Sequence, residues 1–436
     1  MSAVSPAAAP QPLEAHLDAV QLLARRFWLT LLRGELTGAN PDPTPAQWNS
    51  LVREALRHQL GALTYRLLTD GPFATRVPAE AERHLRAKYV EGAFQNAVLL
   101  RQTSRLIAQL DKAGIPVMLL KGVHLCRFVY SEPGLRSMSD VDLMVPRERL
   151  ADAEQVCLQL GYGPVPRPSV EETCARSNHL AKLFKRGAPV LELHWTIELP
   201  TSPFRIDLAG LWARSRAAEL EGVPVRLLAP EDLVLHLSLH GSYHHVFDWW
   251  ALKGLVDLDA VLVRYGAELD WAALAERANA WGASGFVYST LRLAETLLGT
   301  PVDPRVLTAL RHEPGDEEVV ELARRHVLSP ELDLPEPYLQ LARAPGLKER
   351  WRLVRHRVFL PRQTLEQTYG HGHPSVYRSY FRRVLDLLSR RGRLLLQALM
   401  RTRNVQSALE REANRRQLAG WVQRRSGDPS AGPRQG

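Results

Sequence analysis

Residues 117–145 read VMLLKGVHLCRFVYSEPGLRSMSDVDLMV, and the reading of this stretch decides the fold. Val117 to Leu120 is a continuous apolar run after Pro116, as a short buried strand would be. Gly122 to Val129 has helical spacing, Ser131 to Gly134 is a turn, and Val141 to Val145 is a second strand-like run. Asp140 and Asp142 stand two residues apart at that second run. In a strand, residues i and i+2 face the same side of the sheet, so these carboxylates converge roughly 7 Å apart along the backbone. Taken alone, D-x-D is equally the exposed face of a half-buried strand. A third acid, Glu192, lies in VLELHW, a further short run of strand character.

Working outward, the segments on either side are helical. Apolar residues recur at helical spacing from Leu13 to about Leu32, and Thr44 before Pro45 is the expected cap of a second helix. A long helix is expected from Pro78 to about Lys112, stopped by Gly114-Ile115-Pro116. After the central stretch, PRERLADAEQVCLQLGY reads as a helix ending at Gly161. Leu180 to Phe184 and Val190 to Trp195 read as a hairpin around Lys185-Arg186-Gly187, and Val223 to Leu228 as another strand. Helical spacing returns from Pro230, with segments at 251–265, 271–281 and 286–298. The expected fold class is α+β, a mixed-sheet module flanked by N-terminal and C-terminal helical regions. The boundaries are a disordered tail at 1–12, a helical region at 13–112, an α/β core at 113–229 and a helical cap at 230–329. A Pro-rich acidic linker at 330–345, a basic helical tail at 346–425 and a disordered end at 426–436 complete the chain.

Composition narrows the classes. At 436 residues the chain exceeds one ordinary core, and 45% hydrophobic content is normal for a folded protein. No apolar run is long enough to span a membrane, and the Ala/Ser/Pro-rich N-terminus lacks the pattern of a signal peptide. Cys126, Cys157 and Cys174 form neither a zinc pattern nor a disulfide framework, which favours a reducing, cytoplasmic setting. The net charge of +9 belongs to the tail: from Val376 onward there are fourteen Arg and no Lys against four acids. Leu385, Leu388, Leu395, Leu396 and Leu399 with Arg on the other face would fit nucleic acid, an anionic lipid surface, a protein partner or simply solvent.

The acids suit magnesium, which takes oxygen ligands and is often held by a few carboxylates plus substrate phosphates. Two such ions about 4 Å apart can serve the attacking and leaving oxygens of a phosphoryl transfer. Lys121-Gly122 lies between strand and helix, where backbone N–H groups and the helix dipole favour phosphate. Lys121 offers a point charge and Arg136 a forked one. His194 shares a strand face with Glu192, placed either to act on protons or phosphate or to fix the Glu192 rotamer by a hydrogen bond. His179 carries a structural expectation. Gly241-Ser242 followed by Asp257-Leu258-Asp259 resembles a second such site in letters only, because helical spacing sends the two acids to different faces. His236, His240 and His244, at i, i+4 and i+8, are a weak metal face and read rather as a helix lining the cleft or packing on the sheet, with His240, Lys253 and Asp257 facing nucleotide or acceptor.

In order, LKG, a helix, R-x-x-S-D-V-D-L-M-V, a helix ending in LGY, Asn178-His179 and LELHW resemble the uncharacterised bacterial nucleotidyltransferase family of the DNA polymerase β superfamily. The likeness extends over roughly residues 50 to 300. It implies a nucleotidyltransferase fold, with Asp140 and Asp142 as paired metal ligands and Glu192 as the third acid. Lys121-Gly122 would face the triphosphate. The implied activity is transfer of a nucleoside monophosphate from a triphosphate to an acceptor in protein, RNA or small-molecule pools, with two Mg2+ ions in play during catalysis. The superfamily usually has Gly-Ser or Gly-Gly where this chain has Gly122-Val123, and its gap between turn and acids is usually shorter than the seventeen residues here. A non-catalytic nucleotide- or partner-binding module, accessory to a biosynthetic or toxin-antitoxin system, is the competing expectation. A nucleic-acid enzyme guided by the tail is a third.

Overall fold

The structure is a computed structural model that describes residues 19–163, 169–248, 251–310, 313, 315–329, 336–358, 396, 400 and 402–427. The chain forms two compact units: Leu17–Val327 with Leu418–Gly436, and Met1–His16 with Leu328–Gln417. The expected N-terminal helical region, α/β core and almost all of the cap thus fall in one unit.

That unit opens with α1 (Ala19–Leu32), α2 (Pro45–Arg57), α3 (Gly61–Thr69) and α4 (Ala79–Lys112). Thr44 caps α2 as expected: its hydroxyl accepts from the Gln47 amide while the Gln47 side chain accepts from the Thr44 amide. Then come β1 (Met118–Leu119), the helical segment α5 (Lys121–His124) widening into a π-turn at Leu125–Val129, and β2 (Asp140–Met144). They are followed by α6 (Leu150–Gln159), α7 (Val170–Cys174), β3 (Val190–His194), α8 (Leu208–Arg214), β4 (Arg216–Leu220) and β5 (Val223–Leu227).

The sheet order is β3-β2-β1-β5-β4. β2 pairs parallel with β3 and antiparallel with β1, and β1 runs parallel to β5, giving a mixed sheet as expected. The period-2 pattern of β2 and β3 fixes which face does what. Val141, Leu143, Leu191 and Leu193 enter a core with Leu106, Ile107 and Leu110 of α4 and with Leu150, Ala153 and Cys157 of α6. Each fully buried Leu contributes roughly 2 kcal/mol. The acids are thereby committed to the opposite face.

Two features differ from expectation. The first arm of the hairpin is not a regular strand: Leu183 bonds Leu191 and His179 pairs with His194, but only as isolated bridges. β4 was not expected, because RAAEL lacks β-branched and aromatic residues and its burial is slight. Its signal is Glu221-Gly222, both at positive φ, which closes a two-residue hairpin onto β5.

The cap comprises α9 (Pro230–Leu239) widening into a π-turn at His240–His244, α10 (Ala251–Tyr265), α11 (Trp271–Trp281), α12 (Ser284–Leu298), α13 (Pro304–Leu310) and α14 (Asp316–Leu328). In the other unit, α15 (Glu336–Arg343) occupies the stretch expected as a linker. Pro337 in its first turn is compatible with helix, and Tyr338 and Leu341 are buried against Leu353 and Val354 of α16 (Leu347–Val358). The last helix is α17 (Arg403–Ser426). Its final two turns belong to the first unit, where Leu418 and Val422 are fully buried and the Trp421 ring packs 4.9 Å from that of Phe286. This end of the basic tail is therefore core, which Arg-rich composition concealed. The disordered end expected at 426–436 starts too early, since Ser426 still belongs to the last helix; its remainder from 428, the tail expected at 1–12 and most of the basic helix at 377–400 lie outside the described residues. Among the described residues no helix is long and apolar enough to cross a membrane, and the three cysteines are buried and in no disulfide.

Candidate active site and metal centre

The parallel pairing of β2 with β3 builds the site. Asp142 is in register with Glu192, and Met144 with His194, so two carboxylates and an imidazole project from neighbouring strands on the face turned away from α4 and α6. Asp142, Glu192 and His194 are 5%, 7% and 2% exposed. His194 Nε2 lies 3.0 Å from Asp142 Oδ1 and 3.4 Å from Glu192 Oε2. Asp140, at the open end of β2, is half-buried and accepts from the Ser139 hydroxyl.

Cations surround these acids. The Lys121 ammonium is 3.7 Å from Asp142 Oδ1, and Lys182 Nζ is 3.0 Å from Glu192 Oε1. His179 Nε2 stands 3.8 Å from Glu192 Oε2 while its Nδ1 faces the Leu180 carbonyl at 2.6 Å. Burial would push the Asp142 carboxyl up, but Lys121 and the His194 hydrogen bond outweigh it and hold the pKa well below the usual range. Glu192 behaves likewise: burial opposes ionisation, yet its contact with His194 brings it down to about 2. Burial would lower the pKa of His194, but its hydrogen bonds to the two carboxylates leave it raised. Asp140 goes the other way, raised by burial and then by the negative charges of Asp142 and Glu192.

A cavity of about 600 Å³ opens over these groups, walled by the Lys121-Gly122 turn, the 136–139 loop and the cap helices α9 and α10. Lys121 begins α5 at φ +23°, in the left-handed region, and this places its ammonium toward Asp142. Gly122 is not at positive φ. A Cβ there would meet Arg136 Nη1 and Met138 Sδ at 3.5 Å, an ordinary contact, so the missing side chain leaves the turn open beside a guanidinium.

Arg136 is not a free fork. Its Nε and Nη2 donate to Asp257 Oδ1 and Oδ2 at 2.8 and 2.9 Å, and Tyr130 donates to the same carboxylate at 2.8 Å. Burial opposes the charge on Arg136, and Asp257 more than restores it. Lys253 reaches from α10 to the Ser137 carbonyl at 3.0 Å and to Gln59 Oε1 at 3.1 Å. Burial and then Arg136 bring its pKa down to about 8. Asp257 and Asp259, the pair resembling a second site, have separate partners: Asp259 accepts from Thr300 at 2.7 Å.

A family model described as an uncharacterised nucleotidyltransferase matches residues 44–299. The chain belongs to this uncharacterised nucleotidyltransferase family. No curated protein and no solved structure shows significant similarity. The matched span of this family member includes the whole sheet and the first cap helices, so it covers every side chain named at the cavity above. The family's named chemistry is nucleotidyl transfer.

The site's own geometry fits a divalent cation. Among the described residues, ligand atoms of Asp142, Glu192 and His194 lie within 4.8 Å of one another. The raised Asp140 carboxyl is a further oxygen donor in the same field. Several groups gained importance only in three dimensions. Lys182 gave no signal beyond a lone charge in an arm. Asp257 was recognised as helical, but its role of holding Arg136 was not foreseen. Of the two alternatives for His236, His240 and His244, the structure has them lining the cavity, joined by His245, which the sequence reading did not single out. His244 faces Glu198 at 2.9 Å, and burial holds His236 and His240 well below the usual histidine range.

Proposed function

We propose that this protein transfers a nucleoside monophosphate from a nucleoside triphosphate to an acceptor, with release of pyrophosphate. The observation that carries this reading is the register of Asp142 with Glu192, with Asp140 on the same strand face at the mouth of a cavity able to take a nucleotide. Asp142 and Glu192, with Asp140, would hold a divalent cation, Mg2+ on the family resemblance. When bound, such an ion polarises the phosphoryl oxygens and lowers the pKa of the attacking group. The chain's own residues do the positioning. Lys121 and the Nη1 of Arg136 flank the open turn at Gly122 and supply positive charge for the phosphates. Lys253 ties the Ser137 carbonyl and so fixes the loop leading into Asp140. His194 stands with its Nε2 between the two carboxylates and fixes their placement on the floor of the cavity.

The test is incorporation of labelled nucleotide into protein, RNA and small-molecule pools with and without divalent cation. Asp140→Asn and Asp142→Asn should abolish the labelling. Wild type and both variants behaving alike across all four nucleotides ends the enzymatic reading.

One observation favours a second reading, a binding-only module. Lys121 and His194 already neutralise Asp142, leaving less need for a metal. In that case calorimetry shows nucleotide binding whose affinity is independent of cation and unchanged in Asp142→Ala. The acceptor and any partner of the Arg-rich tail, whether nucleic acid, anionic lipid or protein, are to be read from what becomes labelled.

A further inference from the structure

We propose that His194 is itself a ligand of the cation, through Nε2, and that the site therefore takes a first-row transition-metal dication in preference to Mg2+. This rests on the reading that the acids hold a divalent ion, and it changes which ion. Around a six- or four-coordinate ion with bonds of about 2.1 Å, neighbouring ligand atoms are separated by about 3.0 to 3.4 Å. His194 Nε2 is 3.0 Å from Asp142 Oδ1 and 3.4 Å from Glu192 Oε2, so the imidazole nitrogen stands at edge distance from a carboxylate oxygen on either side, with ligand atoms of all three residues within 4.8 Å of one another.

The arrangement is set by backbone, not by flexible side chains. Glu192 and His194 are alternate residues of one strand, and Asp142 is in register on the next. All three are more than nine-tenths buried. A second observation comes from the cap. His236 is 3% exposed, lines the same cavity, and its Nε2 has no hydrogen-bond partner among the described residues. It lies in the electrostatic field of Lys121, His194 and Asp142. A buried nitrogen with no hydrogen-bond partner among the described residues thus also lines the cap side of this cavity. Mg2+ prefers an all-oxygen shell and retains its waters, whereas imidazole shifts preference toward softer dications.

Mn2+ is the probe, and its electron-spin-echo spectrum reads the ligands without reference to turnover. Bound Mn2+ in the wild-type chain should show 14N modulation from a coordinated imidazole, absent in His194→Ala. Mn2+ should outcompete Mg2+ by about tenfold or more in wild type, falling toward parity in the variant. If His194→Ala does not fold by circular dichroism, His194→Asn keeps a polar side chain without the imidazole, and the wild-type spectrum decides alone. Bound Mn2+ without nitrogen modulation, modulation that persists in both variants, or equal competition by Mg2+ overturns the inference. So does failure to bind Mn2+. The outcomes separate from the broader reading: Mg2+-supported labelling without nitrogen coordination removes this inference alone, and nitrogen-ligated Mn2+ without labelling removes transfer alone.

Discussion

Asp257 should be a costly acid to remove, although it is no part of the proposed chemistry. Its carboxylate is 5% exposed and accepts three hydrogen bonds at 2.8 to 2.9 Å, two from the Arg136 fork and one from Tyr130. The Arg136 side chain is 12% exposed, so Asp257→Ala strands a buried guanidinium. Breaking a buried pair from one side costs about 3–5 kcal/mol, a large part of the roughly 5–15 kcal/mol that holds a typical domain together. Replacing both partners by apolar side chains removes the stranded charge, so Arg136→Met/Asp257→Leu should cost less than Asp257→Ala. Urea denaturation followed by tryptophan fluorescence measures all three proteins. Because Arg136 Nη1 borders Gly122, Asp257→Ala should also weaken nucleotide binding in calorimetry. A loss below about 1 kcal/mol for Asp257→Ala, or a double variant at least as unstable as Asp257→Ala, refutes the assignment of Asp257 as the anchor of Arg136.

Gly122→Ala should leave thermal stability within about 1 kcal/mol of wild type, since its Cβ meets only ordinary contacts, but should reduce nucleotide affinity measured by calorimetry. Lys121→Met removes a competing cation from Asp142 and a charge from the phosphate side, so in separate titrations metal should bind more tightly and triphosphate more weakly. His124, buried with its pKa lowered to about 3 from 6.5, first by burial and then by Arg216, stays neutral when folded. The unfolded chain therefore takes up the proton first, so stability is lost as pH falls below 6.5, by about 2 kcal/mol at pH 5 from this residue. His124→Leu should flatten that slope in urea titrations at pH 7 and pH 5. Trp421→Ala, which empties the contact with Phe286, should cost about 3 kcal/mol or more by the same assay, and an unchanged midpoint would contradict the docking of the final helix.

The legible parts of this chain are those where a local period and a face coincide. In β2 and β3 the alternation of Val141, Leu143, Leu191 and Leu193 with acids decided both strand identity and site face, because one buried face specifies register. Thr44-Pro45 and the cap helices were likewise readable from capping and 3.6-residue spacing. What sequence could not show depends on partners far apart in the chain. Asp257 and Arg136 are 121 residues apart, and nothing local tells Asp257 from an exposed helical acid. Lys182 acquires its contact only because an irregular arm is laid along β3. Trp421 stands among arginines, and a composition average over the tail hides the apolar stripe it shares with Leu418 and Val422.

The same distinction governs how the letters at the turn should be weighed. A second glycine or serine after Gly122 would supply phosphate contacts locally, and this chain has Val123, fully buried in the core behind the sheet. Its positive charge at the cavity is instead assembled from a distance. Lys121 is turned inward at φ +23°, Arg136 is fixed by an acid on α10, and Lys253 on that same helix is fastened to the 136–139 loop. Two of these three cations depend on α10, so the cap supplies or anchors much of the cavity's positive charge and is not merely its roof. Shifting α10 relative to the sheet would move Asp257 and Lys253 together, altering the support of Arg136 and of the loop before Asp140 in one step. Binding geometry and the order of the cap are therefore coupled through two side chains one helical turn apart.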